Sequence, residues 1–193
     1  PAIILADGVI GQMMEKVVLP PFRPRRTEEE IRKQMPWATQ GKLAGHKRNV
    51  ITSLELDPAI MEENNIRFQA KYRKIEEAEV RYEEIGCENA DYLMIAFGSM
   101  ARICLKTQEM ALAEGIKVGV LRPITLWPFP SKIIAEYANK VKGMISVELN
   151  AGQMVEDIRL AVNGKVKVEH FGRLGGIVPT PDEVLNALKQ KLM

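Results

Sequence analysis

From residue 91 onward, short apolar runs alternate four times with stretches of helical period, and this alternation restricts the fold more than any other feature of the chain. Residues 91–97 are apolar enough for a buried strand and end at the turn made by Gly98 and Ser99. Residues 100–114 then follow a helical period, closed by Gly115 where a left-handed cap belongs. Residues 116–121 read as the second strand, followed by a proline-rich loop at 122–130 and a helix that Ser131 opens and that runs to about residue 141. The third strand covers 144–149 and its helix 153–162; Asn163 and Gly164 turn the chain into a fourth strand at 165–171. Thr180 and Glu183 form a capping box at the head of a terminal helix. Strict alternation of this kind gives an α/β fold, a mostly parallel sheet with flanking helices on right-handed connections.

Upstream the pattern dissolves. Residues 2–6 (AIILA) read as a buried strand, Asp7 and Gly8 as a turn, and residues 9–16 as a short helix. Because a lone strand needs sheet neighbours, residues 1–16 are expected to be the last βα unit of a domain whose earlier strands would precede Pro1. The run LPPFRPRR at 19–26 enforces extended backbone. Thr27 and Glu30 make a capping box for two helical turns that Pro36 ends, and no period is visible from there to Asp57. Phe22, Met35, Trp37 and Leu43 punctuate this stretch often enough to suggest an arm lying on another surface. Asp57 and Pro58 then open a long helix, with Met61, Phe68, Ile75 and Tyr82 recurring every seven residues and Tyr72 beside them. So narrow a stripe suits packing along one edge of a domain, with an edge strand beginning near residues 80–82.

Charge excludes little globally and says more locally. Lys and Arg number 27 against 25 Asp and Glu, a net +2 that demands neither nucleic acid nor an anionic membrane as partner. Residues 20–50 carry eight basic side chains against three acidic, whereas residues 51–90 carry five against ten, so a basic stretch precedes an acidic one. Cys87 and Cys104 match neither a C-x-x-C pair nor a cluster or zinc site and are expected as buried thiols. No apolar run reaches the roughly 18 residues of a membrane span, and the start lacks a signal-peptide pattern, so a cytoplasmic location is expected.

In open parallel sheets, function gathers beyond the carboxyl ends of the strands. That edge holds Ser99, Arg102, Arg122, Thr125, Glu148, Asn150, Gln153 and Arg173. The turn at 98–101 lacks the G-x-G-x-x-G spacing of a dinucleotide site, and no phosphate-binding P-loop occurs. Ser99 at a helix start either caps that helix or holds one phosphate or carboxylate. Glu148 and Arg122 are expected on neighbouring strands, as an acid beside a cation or as an ion pair fixing loops. His46 and His170 have no second ligand or nucleophile at a recognisable spacing, and Trp127 between prolines reads as a core or interface anchor.

The same segments carry a resemblance. LRPITLWPFP at 121–130, VELNAGQMVED at 147–157 and GRLGG at 172–176 resemble the alpha subunit of 2-oxoacid:ferredoxin oxidoreductases, and LADGVIGQM at 5–13 looks like the end of that subunit's pyrimidine-binding domain. Within the family, RNVITSL at 48–54 and EVRYE at 79–83 look most like the type acting on 3-methyl-2-oxobutanoate (2-ketoisovalerate). The resemblance implies three segments: residues 1–19 as the end of a thiamine-pyrophosphate pyrimidine-binding domain, 20–56 as an extended basic linker, and 57–193 as a domain like the carboxyl-terminal domain of transketolases.

It further implies a hetero-oligomer that decarboxylates a 2-oxoacid on thiamine pyrophosphate, reduces ferredoxin through iron–sulfur clusters and forms acyl-coenzyme A. The beta subunit would hold the diphosphate and Mg²⁺, and a ferredoxin-like subunit the clusters. This stretch would bind no cofactor by itself and hold no catalytic residue, its strand-end residues ordering a surface between domains. The rival reading is a free-standing α/β module holding a small phosphorylated ligand above Ser99. Pyruvate or 2-oxoglutarate are alternative substrates within the family.

Overall fold

The computed structural model describes residues 2–38, 41, 44, 45 and 47–193. Leu43 and His46, an anchor of the expected arm and one of the two histidines, lie outside the described residues. The chain divides into two compact units, one formed by Pro1–Met13 with Lys71–Met193 and the other by Met14–Ala70.

The larger unit is built on a five-stranded sheet: β1 (Tyr82–Ile85), β2 (Tyr92–Ile95), β3 (Val118–Pro123), β4 (Gly143–Glu148) and β5 (Lys167–Gly172), in the order β1-β3-β2-β4-β5. β2 to β5 run parallel, and β1 closes one edge antiparallel to β3, with Glu83 directly opposite Arg122. The four expected strands are thus present within a few residues. The segment near residue 80 supplies the edge strand, a little later than its sequence suggested.

Side chains alternate across the sheet and divide the core into two layers. Met94, Ala96, Val120, Ile145 and Val147 pack against α4 (Gly98–Ala113) and α7 (Pro181–Leu192). Leu93, Ile95, Leu121 and Met144 pack against α5 (Ser131–Tyr137) and α6 (Met154–Val162). β4 is buried along its whole length, as a central strand covered on both faces must be. The helices show their face in the sequence: Met100, Cys104, Thr107 and Ala111 recur at helical spacing along α4 and are all buried. Thr180 and Glu183 form the expected capping box of α7. Ser131 is not the cap of α5; Pro130 holds that position, with no side-chain hydrogen bond.

The chain steps from β2 to β3 in one direction and from β3 to β4 in the other, so right-handed connections carry α4 to one face and α5 and α6 to the opposite face. β2 and β4 are therefore the adjacent strands whose following loops diverge, which is where such sheets open a crevice.

Residues 2–6 do not form the expected strand: among the described residues no strand pairs with them, and Ile3 and Ile4 are exposed. A strand exists only through its neighbours' hydrogen bonds, and apolar composition does not replace them. The turn after them does form α1 (Gly8–Gln12), with Asp7 as its cap.

In the second unit, α2 (Glu28–Gln34) starts at the expected capping box of Thr27 and Glu30. The long helix α3 (Pro58–Ala78) spans the boundary between the units. Its heptad stripe is not buried: Met61 and Phe68 stay exposed, and Tyr82 lies beyond the helix in β1. Near its end, Tyr72 meets Trp127 edge to face, with ring centroids 5.6 Å apart.

Candidate functional site

Glu148 ends β4 at the carboxyl edge and is 2% exposed. Its carboxylate accepts hydrogen bonds from the Ser146 hydroxyl (2.7 Å) and from the backbone amides of Gln153 (3.1 Å), Met154 (2.9 Å) and Val155 (3.0 Å). Those amides are the open donors at the start of α6, whose own cap residue Gln153 makes no side-chain bond there. Glu148 thus caps α6 from the preceding strand. Burial pushes the carboxyl upward, but the Ser146 hydroxyl, the Met154 and Gln153 amides and Asn150 outweigh it and hold the group below the ordinary glutamate value.

The neighbouring loop is fixed in the same way. Asn150 accepts from the Gly152 amide at 2.7 Å, and the Arg173 amide donates to the Glu148 carbonyl at 3.3 Å. Gly172 is required at the end of β5, because a Cβ there would stand 2.1 Å from the Asn150 carbonyl oxygen. His170 brings Nε2 to 3.9 Å from Glu148, buried and without a hydrogen-bond partner among the described residues. Burial holds this imidazole below the usual histidine range, against the upward pull of Glu148.

The expected pair of Glu148 with Arg122 does not form. β2 lies between β3 and β4, so the two residues are not on neighbouring strands. Arg122 instead binds Glu83 across the β1–β3 ladder at 2.7 Å, with both side chains partly exposed. Thr125 bonds to Arg81, its hydroxyl accepting from the Arg81 amide at 3.0 Å and its own amide donating to the Arg81 carbonyl at 3.1 Å. The Arg173 guanidinium binds Glu183 on α7 at 2.7 Å. Arg102 is exposed on the first turn of α4, as is the Gln153 side chain before α6.

Ser99 is not the cap of α4. That position is Phe97, which makes no side-chain bond, and Ser99 lies just inside the helix, buried. Its amide and hydroxyl donate to the Asp7 carboxylate at 3.2 and 3.0 Å. Asp7, read from the sequence only as a turn residue, is the functional-looking group that sequence reasoning missed. A contact across 92 residues leaves no local signal.

Between β2 and β4 a cavity of about 230 Å³ opens, lined chiefly by Leu5, Ile10, Phe97, Met100, Val147 and Leu149, with Asp7, Glu148 and Asn150 as its polar members. Two carboxylates and an apolar wall do not suit an anionic substrate. Nor do the described residues suit an iron–sulfur cluster or a metal: no three His, Cys, Asp or Glu side chains gather, and Cys87 and Cys104 are buried in opposite layers of the core.

Residues 90–184 match the core domain II of pyruvate:ferredoxin oxidoreductase. The ketoisovalerate oxidoreductase subunit VorB of Methanothermobacter thermautotrophicus is 43% identical over 190 residues, 98% of this chain and 52% of that protein. This chain belongs to the 2-oxoacid:ferredoxin oxidoreductase family. It spans about half the length of the curated relatives it matches. The 2-oxoglutarate synthase subunit KorA of Methanothermobacter marburgensis is 27% identical over 97% of this chain and 56% of its own length. Among solved structures, the 2-oxoglutarate:ferredoxin oxidoreductase from Magnetococcus marinus, with 2-oxoglutarate, coenzyme A and succinyl-CoA bound, superposes with a TM-score of 0.62 at 26% identity. It covers 72% of this chain and 24% of that one. A split-gene transketolase shares the fold, with a TM-score of 0.50 at 20% identity over 58% of this chain and 41% of its own. The sheet and its flanking helices are accordingly a transketolase carboxyl-terminal-like domain, as the motifs at its strand ends suggested. No helix among the described residues is long and apolar enough to cross a membrane.

Proposed function

We propose that this chain is the carboxyl-terminal portion of the alpha subunit of a 2-oxoacid:ferredoxin oxidoreductase acting on 3-methyl-2-oxobutanoate, and that its part in that enzyme is organisation rather than catalysis. The observation that carries the substrate is the 43% identity, over 98% of this chain, to a ketoisovalerate oxidoreductase subunit, against 27% to a 2-oxoglutarate synthase subunit. In this reading residues 57–193 brace the assembly, 20–56 form a linker, and 1–19 end a pyrimidine-binding domain. Thiamine pyrophosphate, Mg²⁺ and the iron–sulfur clusters sit on beta and ferredoxin-like subunits and on the rest of the alpha chain. The complex, in the cytoplasm, oxidatively decarboxylates the 2-oxoacid, passes the electrons to ferredoxin and the acyl group to coenzyme A.

The organising role is supported by how the polar groups at the carboxyl edge are used. Glu148 is committed to the amides of α6, Arg122 to Glu83, Thr125 to Arg81 and Arg173 to Glu183, so each already serves to fix a loop or an edge. A free-standing module gripping a phosphate above Ser99 would need the place that the Asp7 carboxylate takes, which weighs against that reading.

The test is native purification of the complex through the full-length alpha polypeptide, followed by coenzyme A-dependent dye reduction on a panel of 2-oxoacids. Turnover is expected to be highest with 3-methyl-2-oxobutanoate. Preference for pyruvate or 2-oxoglutarate would reassign the substrate, and no co-purifying subunit with no turnover would overturn the oxidoreductase reading.

A further inference from the structure

The start of α4 is the natural anion position of this sheet: the helix follows β2 at the switch point and points its free amides at the crevice. This chain fills the position from within. Asp7 reaches it from 92 residues upstream and takes both the amide and the hydroxyl of Ser99, while its Oδ1 also accepts from the Ile10 amide at 2.8 Å. Gly98 fits the approach, since it holds φ at +59° and a Cβ there would crowd Asp7 Oδ2 to 3.2 Å.

Among the described residues, the polar ties of this segment to α4 are the Asp7 bonds to Ser99. α1 buries none of its five residues, and Ile3, Ile4 and Leu5 before it are mostly exposed, so apolar burial contributes weakly. A carboxylate on uncompensated helix amides is a stronger, charge-assisted contact. The Asp7 carboxyl lies below the usual aspartate range: burial opposes ionisation, and the Ile10 amide with the Ser99 hydroxyl and amide more than offset it.

We propose that Asp7 is a polar latch that holds the Leu5–Met13 segment over the β2–β4 crevice through Ser99, closing the cavity behind it. The latch is a contact inside this chain and is measured without turnover, so its failure and that of the oxidoreductase reading are distinguishable.

The experiment is hydrogen–deuterium exchange on the purified full-length polypeptide, comparing peptides from residues 5–13 with peptides from β4 and α7 as internal controls. Asp7→Asn keeps an adequate cap for α1 but removes the charge and sets an amide against the Ser99 N–H. Ser99→Asp places an acid in the first turn of α4, where the helix tolerates it, and opposes it to Asp7. Each single change is expected to speed exchange in residues 5–13 about tenfold, the factor that loss of one charge-assisted bond gives, with the controls unchanged. Combining the two substitutions lets the introduced asparagine amide donate to the introduced aspartate, and is expected to return exchange to within about threefold of wild type, since coupled sites are non-additive. Unchanged exchange in Asp7→Asn, random-coil exchange of residues 5–13 in the wild type, or additive effects in the double variant would each overturn the latch. Asp7→Asn alone decides the matter should Ser99→Asp fail to fold.

Discussion

Replacing Glu148 should cost more than replacing any other polar residue at the carboxyl edge. Its carboxylate takes four hydrogen bonds, two on each oxygen: Ser146 Oγ and the Val155 amide on Oε1, the Gln153 and Met154 amides on Oε2. Glu148→Ala leaves the buried Met154 and Val155 amides without acceptors, whereas the exposed Gln153 can turn to water and the Ser146 hydroxyl can rotate. At about 1–3 kcal/mol for each unmet buried donor, the loss is about 4 kcal/mol. Glu148→Gln keeps the shape and one acceptor oxygen, but turns a donor toward the Met154 amide, for about 2 kcal/mol. In a chain of this size each kcal/mol moves the melting temperature by about 2–4 °C, so falls of about 8–16 °C and 4–8 °C are expected from thermal unfolding monitored by circular dichroism. The sign with pH follows from the depressed carboxyl. Its stabilisation is complete above the unfolded value near 4.5 and is lost as pH falls through the lower folded value, so the gap between wild type and Glu148→Gln should narrow as pH falls below the ordinary glutamate range. A Glu148→Ala protein melting within about 2 °C of wild type at pH 7, or a gap that does not narrow in acid, would refute the capping role.

Two further outcomes test the packing. Gly172→Ala should lower the urea midpoint by the equivalent of about 3 kcal/mol, because its Cβ meets the Asn150 carbonyl at 2.1 Å and the His170 ring at 2.6 Å; an unchanged midpoint would contradict this geometry. Neither cysteine should react with iodoacetamide at about pH 8 until the protein is unfolded, since burial pushes the Cys87 thiol up to about 11 and the Cys104 thiol higher still. Rapid alkylation of the native protein would contradict this.

What the sequence made legible was whatever local chemistry fixes. The four parallel strands, the capping boxes at Thr27 and Thr180, and the buried period of α4 each follow from residues within one or two turns of each other. The readings that failed all needed knowledge of neighbours. Residues 2–6 have strand composition but pair with no strand among the described residues, and the α3 stripe is covered only toward its end, where Ile75 is half-buried and Tyr72 meets Trp127. Arg122 and Glu148 were set together because their strands follow one another in the chain, yet the sheet order inserts β2 between them. Ser99 was expected either to cap α4 or to hold a phosphate or carboxylate; it does not cap the helix, and its hydroxyl and amide donate to the Asp7 carboxylate, a partner only the tertiary structure supplies. The candidate edge residues thus enter separate local contacts whose partners the sequence did not give.

The most direct test of the organising role is to change the carboxyl edge without unfolding it, using Arg122→Ala together with Arg173→Ala. Both ion pairs are partly exposed and contribute at most about 1 kcal/mol each, so the domain should stay folded. Assembly affinity with the partner subunits and turnover at saturating partner are then measured on the same preparation. Assembly is expected to weaken by about tenfold or more, a loss of about 1.4 kcal/mol, with turnover of the assembled enzyme within about twofold of wild type. Unchanged assembly with collapsed turnover would contradict it and place these residues in the chemistry itself.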